Sequence, residues 1–201
     1  MGTSRGVPRR RGRPPGLSPL AIEVTLALGQ ERSGLRLAEL AAGVGAPVSS
    51  VQTALRSLIE AEIVERIERQ PPRYRLVEGH PATLDLVSLA TCLTPPDLAL
   101  TIVLRSCRSV LWAGRDALGA VVALDPAADP ADRARLLETI EHLRAERRLS
   151  GSITVFESDE LARLLRVDLA LRVRLPAAEP LRGRLSQLRL AGPPGSASGR
   201  R

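Results

Sequence analysis

The stretch that decides the fold reads LAELAAGVGAPVSSVQTALRSLIEAEIVERIERQPPRYR, from Leu37 to Arg75. Apolar residues recur at helical spacing in its first part, a Gly-x-Gly turn interrupts them, and a second helical pattern follows. Residues 63–67 and 74–77 then predict two strands, with Gln70-Pro71-Pro72 at the turn between them. The stretch therefore predicts two helices joined by a tight turn and followed by a hairpin.

The helix after the glycine turn is expected over about Pro47–Ala61. Proline is tolerated at its start because the first N–H groups of a helix have no internal partner. The residues expected on its buried side are Val51, Leu55, Leu58 and Ile59, and those on its outer side are Ser49, Thr53 and Arg56, with Ser50 and Gln52 on the flanks. Small polar groups and one arginine are suited to base edges and phosphates in a major groove.

Two further elements are expected in front of this helix. Ser18-Pro19 supplies an N-cap and a proline at the first helical position, so a helix is predicted to begin there and to end at Gly29. Residues 35–37 are short enough for a small strand, and Leu37–Val44 is predicted to be the next helix. The predicted order is helix, strand, helix, turn, helix and hairpin.

With all these elements in order, residues 18–78 resemble the winged helix-turn-helix of ArsR- and MarR-type bacterial transcription regulators. Residues 49–66 resemble the recognition helix and the start of the wing in those families. The resemblance implies sequence-specific binding to double-stranded DNA. Ala46-Pro47 stands where the families usually have a capping Ser or Thr. Glu62 stands where they usually have Gly, and a left-handed conformation there would cost Glu about 1 kcal/mol.

The hairpin, which corresponds to the wing, carries arginines around its turn. Arg69, Arg73 and Arg75 flank the two prolines of the tip. Beside a recognition helix, such side chains are expected to hold phosphates and so to fix the register of the protein on the duplex. The alternative is a solvated hairpin with ordinary surface charges.

Residues 1–17 form a basic arm that holds five arginines and no acidic residue. They are rich in Pro and Gly and show no hydrophobic period, so we expect the arm to be disordered when free and to fold on DNA. Residues 8–15 resemble an AT-hook, in which an Arg-Gly-Arg unit enters a narrow A·T minor groove. The arginines assigned to DNA are Arg9, Arg10, Arg11 and Arg13. The alternative is an arm that touches phosphates without reading sequence.

Composition excludes several other classes of protein. Aromatic residues make up 1% of the chain, which leaves few platforms for stacking single-stranded bases. Cys92 and Cys107 match no zinc-ligand spacing, so they are expected to be buried, reduced thiols, and neither a metal nor a cofactor is expected. With no apolar leader and no spanning segment, the expected location is the cytoplasm, with no membrane partner.

Residues 80–190 are expected to form a second, small α/β domain, after a cluster of helix breakers at residues 78–81, and residues 191–201 are expected to be a disordered tail. The second domain is predicted to contain helices at 84–93 and 96–106, strands at 109–113 and 120–124 joined by Gly114–Gly119, a helix at 130–148, a strand at 152–156, and helices at 159–165 and 167–173. Trp112 is expected in its core.

This order of elements is similar to the minimal nucleotidyltransferase fold. That family pairs a Gly-Ser turn with two carboxylates on the next strand, which bind Mg²⁺. Here the turn reads Gly114-Arg115 and the strand Ala120–Leu124 has no acid. A degenerate domain without catalysis is therefore expected.

The sequence as a whole predicts an α+β protein, with an N-terminal winged helix-turn-helix over residues 18–79 followed by a small α/β nucleotidyltransferase-like domain. The function expected is that of a transcription regulator, not an enzyme. It would act as a homodimer on half-sites about one helical turn apart and respond to an unknown small-molecule or protein effector. Two alternatives are an active nucleotidyltransferase with a winged-helix docking domain and a protein-interaction module.

Overall fold

The computed structural model describes residues 18–80, 82–146, 149 and 151–189. The elements of the winged part are α1 (Pro19–Leu28), β1 (Leu35–Arg36), α2 (Leu37–Val44), α3 (Val48–Glu60), β2 (Val64–Ile67) and β3 (Arg73–Leu76). Those of the second part are α4 (Ala82–Leu93), α5 (Pro96–Ser106), β4 (Val110–Asp116), β5 (Gly119–Leu124), α6 (Pro130–Glu146), β6 (Ser152–Glu157), α7 (Ser158–Val167), α8 (Leu169–Ala177), β7 (Glu179–Arg182) and α9 (Leu185–Arg189).

The winged part has the predicted order of helices and strands. Helix α1 begins where expected, since the Ser18 hydroxyl accepts a hydrogen bond of 3.1 Å from the Ala21 amide. Gly45 ends α2 in a left-handed conformation, which glycine adopts without a steric penalty. Strands β1, β3 and β2 form an antiparallel sheet in that order. The prediction of a winged helix-turn-helix is thus confirmed at the level of its elements.

Helix α3 is held by an apolar stripe on one side. Val51, Ala54, Leu55 and Leu58 are buried at helical spacing. The prediction that Ile59 faces inward is wrong, because its side chain is 37% exposed. At 3.6 residues per turn, position 59 lies about 80° around the helix from Val51, at the edge of the stripe. The smaller Ala54 occupies the opposite edge and lets the helix pack closely.

Both departures from the ArsR and MarR pattern appear in the backbone. Pro47 occupies the N-cap of α3, and no side chain there accepts a hydrogen bond from the first turn. Glu62 has a φ of 59°, in the left-handed region that disfavours residues with a Cβ. The reversal between α3 and the wing is therefore built with a strained residue.

The second part contains a four-stranded sheet in the order β6-β5-β4-β7. Strands β4 and β5 form a hairpin, and β5 pairs in parallel with β6 after the crossover through α6. The helices and strands predicted here are present, with small shifts at their ends.

Two features of the second sheet differ from the sequence prediction. Strand β7 was not predicted; it contains Pro180 and lies at the edge of the sheet, where a missing N–H is tolerated. Gly114, expected in the turn, lies inside β4. A Cβ on Gly114 would come within 2.6 Å of the Trp112 ring, so glycine is required by packing.

One hydrophobic core extends across the predicted boundary at residues 79–80. Helices α1 and α2 pack against α4 and α5, and Leu26, Leu40, Leu100 and Leu104 are all buried in the same cluster. Gly43 of α2 lies so close to α5 that a Cβ there would be 2.4 Å from the Ser106 hydroxyl. The two parts are therefore packed together through their helices.

A second cluster lies on the other face of the four-stranded sheet, among β4, β5, α7, α8 and α9. Trp112 is 2% exposed within it, which confirms the prediction of a core residue. Neither cysteine takes part in a disulfide within the described residues. Cys107 is buried as predicted, whereas the prediction for Cys92 is wrong because it lies on the exposed side of α4.

Candidate nucleic-acid interface

The outer side of α3 carries polar side chains opposite its buried stripe. Ser49, Gln52, Thr53 and Arg56 are exposed, and Ser50 is half-buried. The Thr53 hydroxyl donates to the Ser49 carbonyl at 3.1 Å, so its oxygen remains able to accept a further hydrogen bond. Helix α3 thus presents hydroxyls, an amide and a guanidinium on one surface.

Arg56 is the only arginine on α3. Its guanidinium makes no hydrogen bond or salt bridge with another residue that the structure describes, so its donors face solvent. A guanidinium has five N–H donors in a planar fork that matches guanine edges and phosphates. Arg56 is consequently able to take a partner outside the chain without breaking an internal ion pair.

A groove of about 640 Å³ runs along one flank of α3, between that helix and the start of α1. Ser50, Thr53 and Ser57 line it on α3, and Leu20 and Ile63 line it from the neighbouring elements. Two of the residues predicted to touch DNA therefore border a concave surface as well as the outer side of the helix.

The three wing arginines lie in different surroundings. Arg69 is exposed in the loop at the tip. Arg73 donates a long hydrogen bond of 3.4 Å to the Gly34 carbonyl. Arg75 contacts Glu65 at 2.5 Å and Glu78 at 3.7 Å. A phosphate at Arg75 would have to share that guanidinium with two carboxylates, whereas Arg69 and Arg73 carry no such ion pair within the described residues.

The register of the three-stranded sheet brings a further arginine to the wing. Arg36 of β1 lies opposite Arg73 of β3, and Ile67 of β2 lies on the other side of Arg73. Arg36 was not among the residues predicted to contact DNA, and the strand that holds it, β1, is only two residues long. The feature that could have indicated a role for Arg36 is the antiparallel pairing of β1 with the wing strand β3, because this pairing places Arg36 next to the wing.

A polar bridge from the second part reaches the same place. The amide of Arg108 donates to Glu31 at 2.6 Å, and its guanidinium donates to Ser33 at 2.9 Å and to Glu39 at 2.7 Å. Glu31 is buried, with a side chain only 2% exposed. Since Arg108 is distant in sequence from all three partners, no local pattern could have predicted this bridge.

These charges act on one another. Burial raises the pKa of Glu31 above its ordinary value, against the opposing effect of the Arg108 amide and charge. Burial would also raise the pKa of Glu39, but the Arg36 amide and the Arg108 guanidinium outweigh it and lower the pKa. The pKa of Arg73 is lowered, first by burial and then by the positive charge of Arg108.

The remaining sequence predictions concern the basic arm, metal binding and membrane-spanning segments. Arg9, Arg10, Arg11 and Arg13 lie outside the residues that the structure describes. Within the described part of the chain, no group of three or more His, Cys, Asp or Glu side chains is arranged to hold a metal ion. No helix among those residues has the length and apolar character needed to cross a membrane.

A comparison with protein-family models matches residues 15–79 to TrmB, described as a sugar-specific transcriptional regulator. The matched part is similar to the winged helix-turn-helix domain of that family, and the match implies a DNA-binding transcription regulator. The expected ArsR or MarR resemblance is close to this result, since both predict a winged helix-turn-helix regulator. No curated protein and no solved structure matches the chain, so the nucleotidyltransferase likeness of the second part is unconfirmed.

Proposed function

We propose that this protein is a sequence-specific regulator of transcription in which α3 enters the major groove of duplex DNA. The observation that carries the proposal is the division of α3 into a buried apolar stripe and an exposed polar side. The side chains proposed to read or touch DNA there are Ser49, Ser50, Gln52, Thr53 and Arg56. The TrmB match supports DNA as the partner, and these residue assignments go beyond it.

The wing would hold the sugar-phosphate backbone beside the major groove. Arg69 and Arg73 are the better placed, because neither has a carboxylate partner among the described residues. Arg75 would contribute less, since Glu65 holds its guanidinium at 2.5 Å. Phosphate contacts of this kind set affinity and register without reading bases.

The basic arm would add electrostatic attraction. The winged module, residues 18–78, holds seven arginines and eight acidic residues, so it is slightly acidic overall. The five arginines of residues 1–17 would therefore supply much of the non-specific affinity, in the manner of an AT-hook or of a simple basic arm. The protein would work where the bacterial chromosome lies, in the cytoplasm.

Control of binding would come from the second part. Its helices α4 and α5 pack directly against α1 and α2, so a ligand that shifts them would also shift the helix-turn-helix. The description of the TrmB family makes a sugar the effector class to test first. A homodimer would place two copies of α3 on half-sites about one helical turn apart.

The two alternatives have less support. An active nucleotidyltransferase would need paired carboxylates on the strand after the Gly114-Arg115 position, and Ala120–Leu124 carries none. A protein-interaction module would not need exposed donors on α3 together with arginines on the wing. We therefore rank both below DNA binding.

Selection of duplexes from a random pool by the full chain tests the proposal. We expect enrichment of one motif, with two half-sites if the protein is a dimer, and affinity that falls with salt in proportion to the phosphates contacted. A chain without residues 1–17 should select the same motif but show a smaller salt slope. Selection that enriches no motif at any salt concentration would overturn the proposal.

A further inference from the structure

Four arginines lie near one another beside the wing, since the charges of three of them act on Arg73, and one of the four belongs to the second part of the chain. We call them the cation cluster, and its members are Arg36, Arg69, Arg73 and Arg108. Only Arg69 and Arg73 belong to the hairpin. The proposed function uses those two and assigns nothing to the others.

Strand register assembles the first three members. Arg36 and Arg73 are direct partners across β1 and β3, and residues opposite each other on antiparallel strands point to the same face of the sheet. Arg73 also pairs with Ile67, after which the chain turns into the loop that carries Arg69. The three arginines therefore follow the end of the sheet that is nearest to the tip of the wing.

One carboxylate oxygen joins the fourth member to them. The Oε2 atom of Glu39 accepts a hydrogen bond of 2.7 Å from the Arg36 amide and another of 2.7 Å from the Arg108 guanidinium. Arg108 is 32% exposed, so its guanidinium reaches solvent at this point. The effect of Arg108 on the pKa of Arg73 is consistent with their proximity.

The charge of this region favours an anion. Four guanidinium groups face two carboxylates, Glu31 and Glu39, and Glu31 is buried beneath the surface. Arginine is well suited to phosphate because its donors form a rigid fork and it is weakly hydrated. The surface continues the phosphate contact proposed for Arg69 at the tip of the wing.

We propose that Arg36 and Arg108 bind phosphates of the DNA backbone alongside the wing, so that the second part of the chain contributes directly to the DNA interface. This inference rests on the proposed function. Glu39 holds the backbone amide of Arg36 and the guanidinium of Arg108, and its negative charge opposes the approach of a phosphate. The contact is independent of base sequence and extends the footprint along the duplex.

Salt dependence of binding by the full chain separates a phosphate contact from a structural role. The variants are Arg36→Gln and Arg108→Gln, with Arg115→Gln as the matched control because Arg115 is held by Asp97 at 3.0 Å, away from the wing. Each cluster variant should reduce the magnitude of the slope of log affinity against log salt by about 0.9, on specific and non-specific duplexes alike. The control should leave the slope unchanged.

A variant that removes a negative charge shows whether weaker binding of the arginine variants comes only from loss of folding. Glu39→Gln keeps an oxygen for the Arg36 amide but removes the negative charge, so it should strengthen binding several-fold at low salt. Unchanged slopes in both arginine variants, even with reduced thermal stability, would overturn the inference, as would unchanged or weaker binding by Glu39→Gln. If the inference fails in this way but Arg56→Ala still loses base preference, the proposed function stands and only the phosphate contacts of Arg36 and Arg108 are excluded.

Discussion

The two parts of the molecule use arginine differently. In the second part, several arginines are held by carboxylates, as in the pairs Arg115–Asp97, Arg133–Glu157 and Arg174–Asp116. In the winged part, Arg56 and Arg69 have no carboxylate partner among the described residues. Arginines of the first kind stabilise a fold, whereas those of the second kind remain available to an external anion. The contrast supports placing most of the proposed interface in the winged part, and Arg108, which Glu39 holds but which still reaches solvent, is the exception in the second part.

A substitution in the core that the two parts share is expected to have the largest effect on stability. Leu104 of α5 is fully buried in the cluster that includes α1 and α2, so Leu104→Ala should lower the free energy of unfolding by about 2 to 5 kcal/mol. Protection of α1 and α2 amides from hydrogen exchange should fall together with that of β4. The exposed Leu118→Ala should change stability by less than about 0.5 kcal/mol. Loss of protection in the second part alone would show that the two parts unfold separately.

An ion pair of the second part should matter less and should depend on pH. The Arg174 hydrogen bonds lower the pKa of Asp116, so the stabilisation is present above the ordinary carboxyl pKa and is lost as pH falls through the lowered value. Asp116→Asn should therefore reduce stability by about 1 kcal/mol at pH 7, and the difference should vanish as pH falls through the lowered pKa of Asp116. Thermal unfolding across this range measures the difference.

The matched control is Glu141→Gln, since Glu141 and Arg144 are an exposed pair. It should have little effect at any pH. If Asp116→Asn also has no effect on stability at pH 7, the result would contradict a stabilising role for the paired arginines of the second part.

The smallest effect concerns the residue between α3 and the wing. Glu62→Gly should stabilise the protein by about 0.5 kcal/mol, because relief at a positive φ exceeds the entropy that glycine adds to the unfolded chain. Glu60→Gly, at the last residue of α3, should instead destabilise it by up to about 1 kcal/mol. The denaturant midpoints of the two variants should move in opposite directions. A shift of both midpoints in the same direction would contradict the backbone strain assigned to Glu62.

Local signals explain why the winged part could be predicted from the sequence. The cap at Ser18-Pro19, the left-handed Gly45 and the apolar spacing from Val51 to Leu58 each involve residues within a few positions of one another. Even the strained Glu62 followed from its position after a helix. Ile59 was misplaced because it lies at the edge of the stripe, where spacing alone does not decide burial.

Contacts between distant residues could not be predicted in the same way. Arg36 depends on the register of a two-residue strand, and Arg108 reaches Glu39 from a separate part of the chain. Strand β7 depends on pairing with β4, against the signal of Pro180. The ion pair between Arg75 and Glu65 likewise depends on the pairing of β2 with β3. The sequence therefore predicted the elements of the proposed interface but not its full set of charges.

The most direct test compares Arg56→Ala with Arg73→Ala on the selected DNA site and on a panel of its single-base variants. Arg56→Ala should lose about 1 to 3 kcal/mol of discrimination at one base position, because a side chain on the outer side of α3 reads bases. Arg73→Ala should weaken binding to every duplex about equally, because a wing arginine holds phosphate. Base preferences and affinities that match the parent protein in both variants would contradict the account.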